Sequence, residues 1–317
     1  MAGDAIRITF ADGEPVEFLP LPGDSVLVAA EKAGVKLASN CRAGTCGTCH
    51  ATGPGGAETA LCVTPCAPGQ EFALSYNRAD LVPASLRRAK INSFSRISAG
   101  VWEIRYRMQF PLPFLPGQYV DFTFPGIDDP RHFSMSNPEG QGEQVIHVRD
   151  LPGGAMAEFL ETRARPELAF SLRGPFGIFY LRRNPRPKLF VTGGTGLAPV
   201  LSMLSSLTAE TAAPMILIAG FSREADVYGR AQLSDLAARL PLRVIFACSR
   251  AAPGFDGVAQ NPVRLLEDPE IAGFAAGAEA YLCGAPAMVT AIRARLQEIG
   301  TDMRAVYHEE FSHVVPV

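Results

Sequence analysis

The chain has 317 residues, an apolar fraction of 47% and a formal net charge of −3. That length fits two or three domains with ordinary cores; the mild acidity offers nothing to a nucleic-acid backbone, and no apolar run approaches the roughly 20 residues of a membrane span. The N-terminal segment Met1-Ala2-Gly3-Asp4-Ala5-Ile6-Arg7 lacks the basic and then apolar pattern of a signal peptide, so a reducing, cytoplasmic setting is expected.

Residues 6–10 and 16–19 read as a hairpin around Asp12-Gly13. Residues 25–33 read as a helix, with Asp24 or Ser25 as N-cap and Gly34 as its stop. Three cysteines follow in Ser39-Asn40-Cys41-Arg42-Ala43-Gly44-Thr45-Cys46-Gly47-Thr48-Cys49, spaced C-x4-C-x2-C. With one later cysteine, this is the spacing by which a plant-type ferredoxin loop holds a [2Fe–2S] cluster. The backbone must turn sharply to converge its thiolates, and Gly44 and Gly47 sit where such turns are needed. Cys62 and Cys66 both qualify by sequence as the fourth ligand. Zinc, with Cys62 and Cys66 as a second C-x3-C pair, is the competing reading. A disulfide framework is not expected, because seven cysteines is an odd number and the chain is far larger than scaffolds that need staples.

Gly53-Pro54-Gly55-Gly56 is all turn chemistry, residues 72–76 read as a strand, and residues 83–88 read as a linker. Up to residue 80 the chain carries nine acids and five bases, an imbalance that fits either a solvated face or docking to a basic partner. From about 89 to 184, short alternating strands at 101–108, 119–124, 131–135 and 145–149, separated by Pro-Gly turns, predict a small antiparallel barrel. From 188 the pattern changes to strands at 189–192, 215–220, 244–248 and 280–283 alternating with helices at 198–208, 231–240 and 287–299. That alternation predicts a parallel sheet with helices on both faces.

Four segments carry candidate binding chemistry. Val191-Thr192-Gly193-Gly194-Thr195-Gly196-Leu197-Ala198-Pro199 joins a strand to a helix, where glycines admit close approach of a bound group and the helix start attracts phosphate. It is not G-x-G-x-x-G, so the standard dinucleotide fingerprint is absent. Tyr281-Leu282-Cys283-Gly284-Ala285-Pro286 is a second glycine turn at a strand end, expected on the same crevice, although Cys283 also reads as a small buried hydrophobe. In the barrel, Arg131-His132-Phe133-Ser134 combines a phosphate-pairing arginine, a stacking aromatic and a hydroxyl. His147-Val148-Arg149 before Pro152-Gly153-Gly154 adds a second phosphate site. His132 and His147 are expected to be structural or hydrogen-bonding, because no His-x-x-His spacing or carboxylate partner accompanies them.

In this order the segments resemble the NAD(P)H-dependent reductase components of bacterial ring-hydroxylating dioxygenases and related multicomponent monooxygenases, along nearly the whole chain. Arg131 to Ser134 is similar to the flavin motif R-x-Y-S, with Phe133 in place of tyrosine. His147 to Met156 resembles the segment that wraps the flavin pyrophosphate, and Gly174-Pro175-Phe176-Gly177 the G-P-x-G turn. Gly193 to Pro199 matches G-G-T-G-x-A-P. Gly220, Arg223, Asp226 and Tyr228 match G-x-R-x-x-x-D-x-Y. Cys283, Gly284, Pro286 and Met288 resemble C-G-P-P-x-M, and Glu309 and Phe311 the closing E-x-F.

The resemblance implies α+β and α/β architecture in three parts: a β-grasp [2Fe–2S] ferredoxin domain at 1–83, a linker at 84–88, an FAD-binding antiparallel barrel at 89–184 and a parallel-sheet NAD(P)-binding domain at 185–317. It implies electron transfer from nicotinamide, NADH rather than NADPH, through FAD rather than FMN, to the cluster and on to an oxygenase component or its ferredoxin. It implies Cys62 as the fourth ligand beside Cys41, Cys46 and Cys49, with backbone amides of Gly44, Thr45 and Gly47 tuning the cluster. Arg131, His132, Phe133, Ser134, His147, Val148, Arg149, Gly153, Gly154 and Met156 would hold the flavin. Gly193, Gly194, Thr195, Gly196, Arg223, Asp226, Gly284 and Glu309 would serve the nicotinamide side. Cys283 would lie by the reacting carbon and Phe311 over the flavin. Arg223 and the Ser249-Arg250 pair are the candidates for a 2′-phosphate. No membrane and no nucleic acid partner is implied, and a monomer is expected. A general ferredoxin-type reductase and a redox-sensing regulatory flavoprotein are the alternatives. The chain departs from the family between Cys49 and Cys62, where twelve residues stand in place of a longer stretch.

Overall fold

The computed structural model describes residues 4–44, 47–140 and 142–311. They fall into two compact units, one of 4–84 with 175–178 and one of 85–174 with 179–311. In the first, β1 (Ile6–Thr9), β2 (Pro15–Phe18), α1 (Val26–Lys32), β3 (His50–Thr52), β4 (Glu58–Ala60) and β5 (Glu71–Ala73) follow in order. The sheet runs β2-β1-β5-β3-β4, with β5 parallel to β1. Ser25 caps α1 by accepting from the Val28 amide at 3.3 Å, and Gly34 leaves the helix at φ +77. Val26, Leu27, Ala29 and Ala30 of the helix are buried, as are Ile6, Ile8 and Phe72 of the sheet. The stretch between Cys49 and Cys62 is a tight β3–β4 hairpin, closed by the Gly53 amide donating to the Ala57 carbonyl at 2.7 Å. Its three-residue strands are too short for an alternating pattern, which is why sequence shows only turns there.

In the second unit, β6 (Ser85–Ser98), β7 (Val101–Met108), β8 (Tyr119–Thr123), β9 (Arg131–Ser134), β10 (Gln144–Arg149), α2 (Ala155–Thr162) and β11 (Ala169–Phe176) build the expected antiparallel barrel. Strand order is β10-β7-β6-β11-β8-β9, and a bridge between Met135 and Ile146 closes it. Tyr106, Phe122, Phe124, Phe159 and Phe170 pack its interior. β6 starts inside the stretch expected to be a linker. Ser85 already pairs with Gly174, and Arg87 with Leu172, so cross-strand pairing makes a strand of a charged segment whose composition alone reads as connector.

The chain continues with β12 (Lys188–Gly193), α3 (Leu197–Ser205), β13 (Met215–Arg223), α4 (Arg230–Arg239), β14 (Leu242–Arg250), α5 (Pro262–Leu265), α6 (Pro269–Gly277), β15 (Glu279–Gly284), α7 (Pro286–Ile299) and β16 (Val306–Glu310). All five strands are parallel, in the order β14-β13-β12-β15-β16. α3 and α4 bury Leu201, Leu204, Leu233 and Leu236 on one face; α5, α6 and α7 bury Leu265, Ile271, Val289 and Ile292 on the other. The strand order reverses between β12 and β15, and sheets of this kind bind ligands in a crevice at the carboxyl ends of such a pair. The barrel shares the first of these cores: Val101, Phe179 and Leu181 belong to the same buried cluster as Leu201 and Leu204. Among the described residues no helix is long and apolar enough to cross a membrane.

The opposite, amino ends of β12 and β15 are fastened by a buried ion pair. Lys188 and Glu279 are register partners with Nζ 3.6 Å from Oε2, and both side chains are less than 5% exposed. Asn184 Nδ2 donates to Glu279 Oε1 at 2.7 Å, and the Tyr281 hydroxyl donates to Oε2 at 3.1 Å. Lys188→Ala strands that carboxylate in the core and is expected to lower the unfolding free energy by about 3–5 kcal/mol in urea titration. A loss under about 1 kcal/mol would show that the pair is not an anchor.

Candidate functional site

The cysteine loop sits between α1 and the β3–β4 hairpin. Cys49 is buried and Cys41 exposed, while Cys62 and Cys66 are half-buried; none of these forms a disulfide. Cys46 and Thr45 lie outside the described residues. Positive φ at Arg42, Gly44 and Gly47 turns the backbone sharply at these three positions. The Gly44 amide donates to Cys62 Sγ at 3.2 Å and the Ala43 amide to Cys41 Sγ at 3.4 Å. Cys66 turns elsewhere, its thiol donating to the Leu21 carbonyl at 3.0 Å. Gly44 could carry no larger residue comfortably: its φ is +76 and a Cβ would sit 3.1 Å from Val63. Thiolates accepting from backbone amides fit an iron–sulfur cluster, whose sulfurs take hydrogen bonds of this kind. Tyr76, packed edge-on against Phe10 at 5.8 Å, accepts from the Ala38 amide at 2.9 Å and tethers the approach to the loop.

In the barrel, β9 places Phe133 against Phe122 at 5.6 Å, among the side chains of the interior, while Ser134 is buried. Arg131 is half-buried and makes no ion pair among the described residues. His132 and His147 do have carboxylate partners, invisible in the linear sequence because they lie across the sheet. His132 faces Asp121, with Nδ1 2.5 Å from Oδ1, and His147 faces Glu103, with Nε2 3.6 Å from Oε2. Next along β10, Val148 is buried and Arg149 is exposed. The turn through Gly153 and Gly154 starts α2 without a side-chain cap, leaving its first amides for an anion, and Met156 on that turn is buried.

At the crevice, Gly193 and Gly284 face each other across the ends of β12 and β15. A Cβ on either would come within 3 Å of Met288, and one on Gly196 would reach 2.2 Å from the Cys283 carbonyl. Gly194, at φ +54, faces open space. Thr192, on the strand end just before this turn, is fully buried and its hydroxyl has no hydrogen-bond partner among the described residues. Thr195 lies on the turn itself, half-buried. Arg223 grips Asp226 through Nε and Nη2, which donate to the two carboxylate oxygens at 2.9 and 3.0 Å. The Phe311 amide donates to the Gly284 carbonyl at 2.8 Å.

Glu309 joins barrel and crevice. It is the register partner of Cys283, and the Ser134 hydroxyl donates to its Oε2 at 3.2 Å. Burial pushes its carboxyl up to about 8, despite the serine bond that favours the charged form. Burial, with help from the Glu309 charge, pushes the Cys283 thiol well above its ordinary range, so this cysteine stays a neutral thiol. A second seam runs nearby: buried Ser202 donates to the Asn137 carbonyl at 3.0 Å, and His147 meets Tyr228 edge-on at 5.0 Å. Sequence gave no sign of Ser202 or Asn137, whose link depends only on where the barrel meets α3.

Three family models match in chain order: a 2Fe-2S iron-sulfur cluster binding domain at 9–67, an oxidoreductase FAD-binding domain at 88–180 and an oxidoreductase NAD-binding domain at 190–294. The toluate 1,2-dioxygenase electron transfer component of Pseudomonas putida is 31% identical, over 92% of this chain and 93% of that one. The phenol 2-monooxygenase reductase component DmpP of Pseudomonas sp. (strain CF600) is 29% identical, over 91% and 90%. Among solved structures, the Amycolatopsis cytochrome P450 reductase GcoB superposes with a TM-score of 0.73 at 23% identity, covering 96% of this chain and 98% of that one. The ferredoxin reductase in carbazole 1,9a-dioxygenase gives 0.69 at 21%, covering 97% and 98%. At these identities the two structures speak for the fold alone.

Glu309 is neutral below pH about 8 and ionised above it. An anion there opposes negative charge entering the crevice, so flavin reduction by nicotinamide is expected to slow several-fold as pH rises through that value. The check is the limiting rate against pH: the inflection should vanish in Glu309→Gln, and its persistence there would exclude Glu309 as its source.

Proposed function

Since the chain belongs to the family of NAD(P)H-dependent electron transfer components of oxygenase systems, we propose that its crevice delivers a hydride from NADH to FAD on the barrel. We propose further that Cys41, Cys46, Cys49 and Cys62 hold the [2Fe–2S] cluster from which electrons leave for the oxygenase component or its ferredoxin. The observation that carries the first half is the Ser134–Glu309 hydrogen bond, which brings the barrel's β9 to the carboxyl end of the parallel sheet. When bound, FAD takes a hydride's two electrons together and the cluster carries one, so the pair of groups turns a two-electron donor into a one-electron source.

The chain's own residues bind, orient and exclude water. Arg131, Arg149 and the uncapped start of α2 beyond Gly153 and Gly154 hold the flavin phosphates, while His132, Phe133, His147, Val148 and Met156 shape the surrounding wall. Gly193, Gly194, Gly196 and Gly284 leave the crevice floor bare, so that a flat ring can lie against backbone, and half-buried Thr195 stands beside it. Cys283 remains a thiol and fills space beside the reacting position without becoming a competing nucleophile. Phe311, anchored through its amide, screens the flavin from water. In the loop, amides of Ala43 and Gly44 donate to cysteine sulfur and favour the reduced, more negative cluster. We take the protein to act as a cytoplasmic monomer that meets its oxygenase transiently.

Two measurements test this reading. Cys62→Ser is expected to abolish the cluster's visible absorbance and its reduced electron paramagnetic resonance signal, while Cys66→Ser keeps both; the reverse would move the ligand to Cys66. Separately, reduction of a dye acceptor should run faster with NADH than with NADPH. A chain that binds flavin but oxidises neither nicotinamide would point to a redox sensor.

A further inference from the structure

Arg223 and Asp226 read by sequence as nucleotide ligands, yet their surroundings are those of a joint. Asp226 closes the short turn after β13, and its carboxylate is gripped by Arg223 on one side. Its other side meets the tip of the barrel's β6–β7 hairpin. A Cβ on Gly100 would lie 2.6 Å from Asp226 Oδ1, so a larger residue there would push the carboxylate out of its present place. The Ala99 amide donates to the Ala225 carbonyl at 2.9 Å, and the Gly100 carbonyl accepts from the Asp150 amide at 2.9 Å. Asp150 follows β10, the strand that carries His147 and Arg149. On either side of the tip, Val101 is buried in the core that α3 and α4 share, and Ile97 packs against it. Two residues beyond Asp226, Tyr228 takes the edge of His147, and its hydroxyl donates to the Gly194 carbonyl at 3.4 Å.

We propose that Arg223 and Asp226 are positioning residues: they clamp the Ala99-Gly100 hairpin tip and so fix the flavin-bearing barrel at hydride-transfer distance from the Gly193–Gly196 turn. The carboxylate is the wedge, the guanidinium holds it in one orientation, and Gly100 is the socket. With Nε and Nη2 committed to this carboxylate, Arg223 keeps only Nη1 for a 2′-phosphate, so its first role is the ion pair. The inference depends on the hydride-transfer reading above. It adds that the geometry is set from outside the crevice, by groups that touch neither nicotinamide nor flavin.

The test is a double-mutant cycle on the full-length, flavin- and cluster-loaded chain, with Asp226→Ala, Gly100→Ala and both together, plus Arg223→Gln. Flavin content is checked first, so that only loaded protein is compared. Each single substitution should slow flavin reduction at saturating NADH by about tenfold, within the roughly hundredfold that a misplacement of about 1 Å can cost. KM should move by less than about twofold, because ground-state binding is untouched. Removing the carboxylate makes room for the alanine methyl, so the double variant should fall within about twofold of the slower single one. Multiplying effects would overturn the clamp, as would a raised KM with an unchanged limiting rate in Arg223→Gln, which is the signature of a nucleotide ligand. If the unaltered loaded chain is not reduced by either nicotinamide, the hydride-transfer reading fails by itself. The contact is then judged by thermal midpoints of the same four proteins: non-additive shifts support the clamp and additive shifts overturn it.

Discussion

A hydride passes only between atoms held about 3–3.5 Å apart, so this reductase depends on how its barrel is fixed against the carboxyl end of its parallel sheet. Neither part alone can set that distance. The fixing is distributed: a shared apolar core around Val101, Phe179 and Leu181, a buried bond from Ser202 to Asn137, and the bond from Ser134 to Glu309 at the crevice itself. The core supplies most of the adhesion, because apolar burial is the large non-directional term. The polar contacts supply register, because a hydrogen bond is satisfied in only one alignment. Glu309 is the costly member: burial raises its carboxyl to about 8 although the Ser134 hydroxyl donates to it.

The amino end of the same sheet shows the complementary device. Lys188, Glu279, Asn184 and Tyr281 satisfy one another in the interior and fix where the chain leaves the barrel and enters β12. With its amino end fastened there and its carboxyl end seated against the barrel, the central strand pair β12–β15 has little freedom to slide. The switch point between those strands is where the glycine turns converge, and their bare backbones need just such a fixed frame.

Much of this was legible in sequence because it rests on local rules. The cysteine spacing, the hairpin at the start, the α1 cap at Ser25 and the alternation of strands and helices after residue 188 are all one-dimensional signals. The segments around Arg131, His147, Gly193 and Cys283 fall on the elements expected of them. What stayed hidden is what pairing creates. β6 emerges from a charged segment that becomes a strand only beside β11 and β7, and β3 and β4 are too short to show a period. The carboxylate partners of His132 and His147 come from neighbouring strands. The contact of Gly100 with Asp226 joins residues far apart in the chain, and sequence could mark Asp226 only as part of a motif.

The most direct test of the central claim is an anaerobic titration of the fully loaded chain with NADH, followed by flavin absorbance and electron paramagnetic resonance. The account predicts that the flavin bleaches and that the reduced [2Fe–2S] signal then appears without any added mediator. A flavin that bleaches while the cluster stays oxidised would contradict an electron path running through this chain from nicotinamide to the cysteine loop.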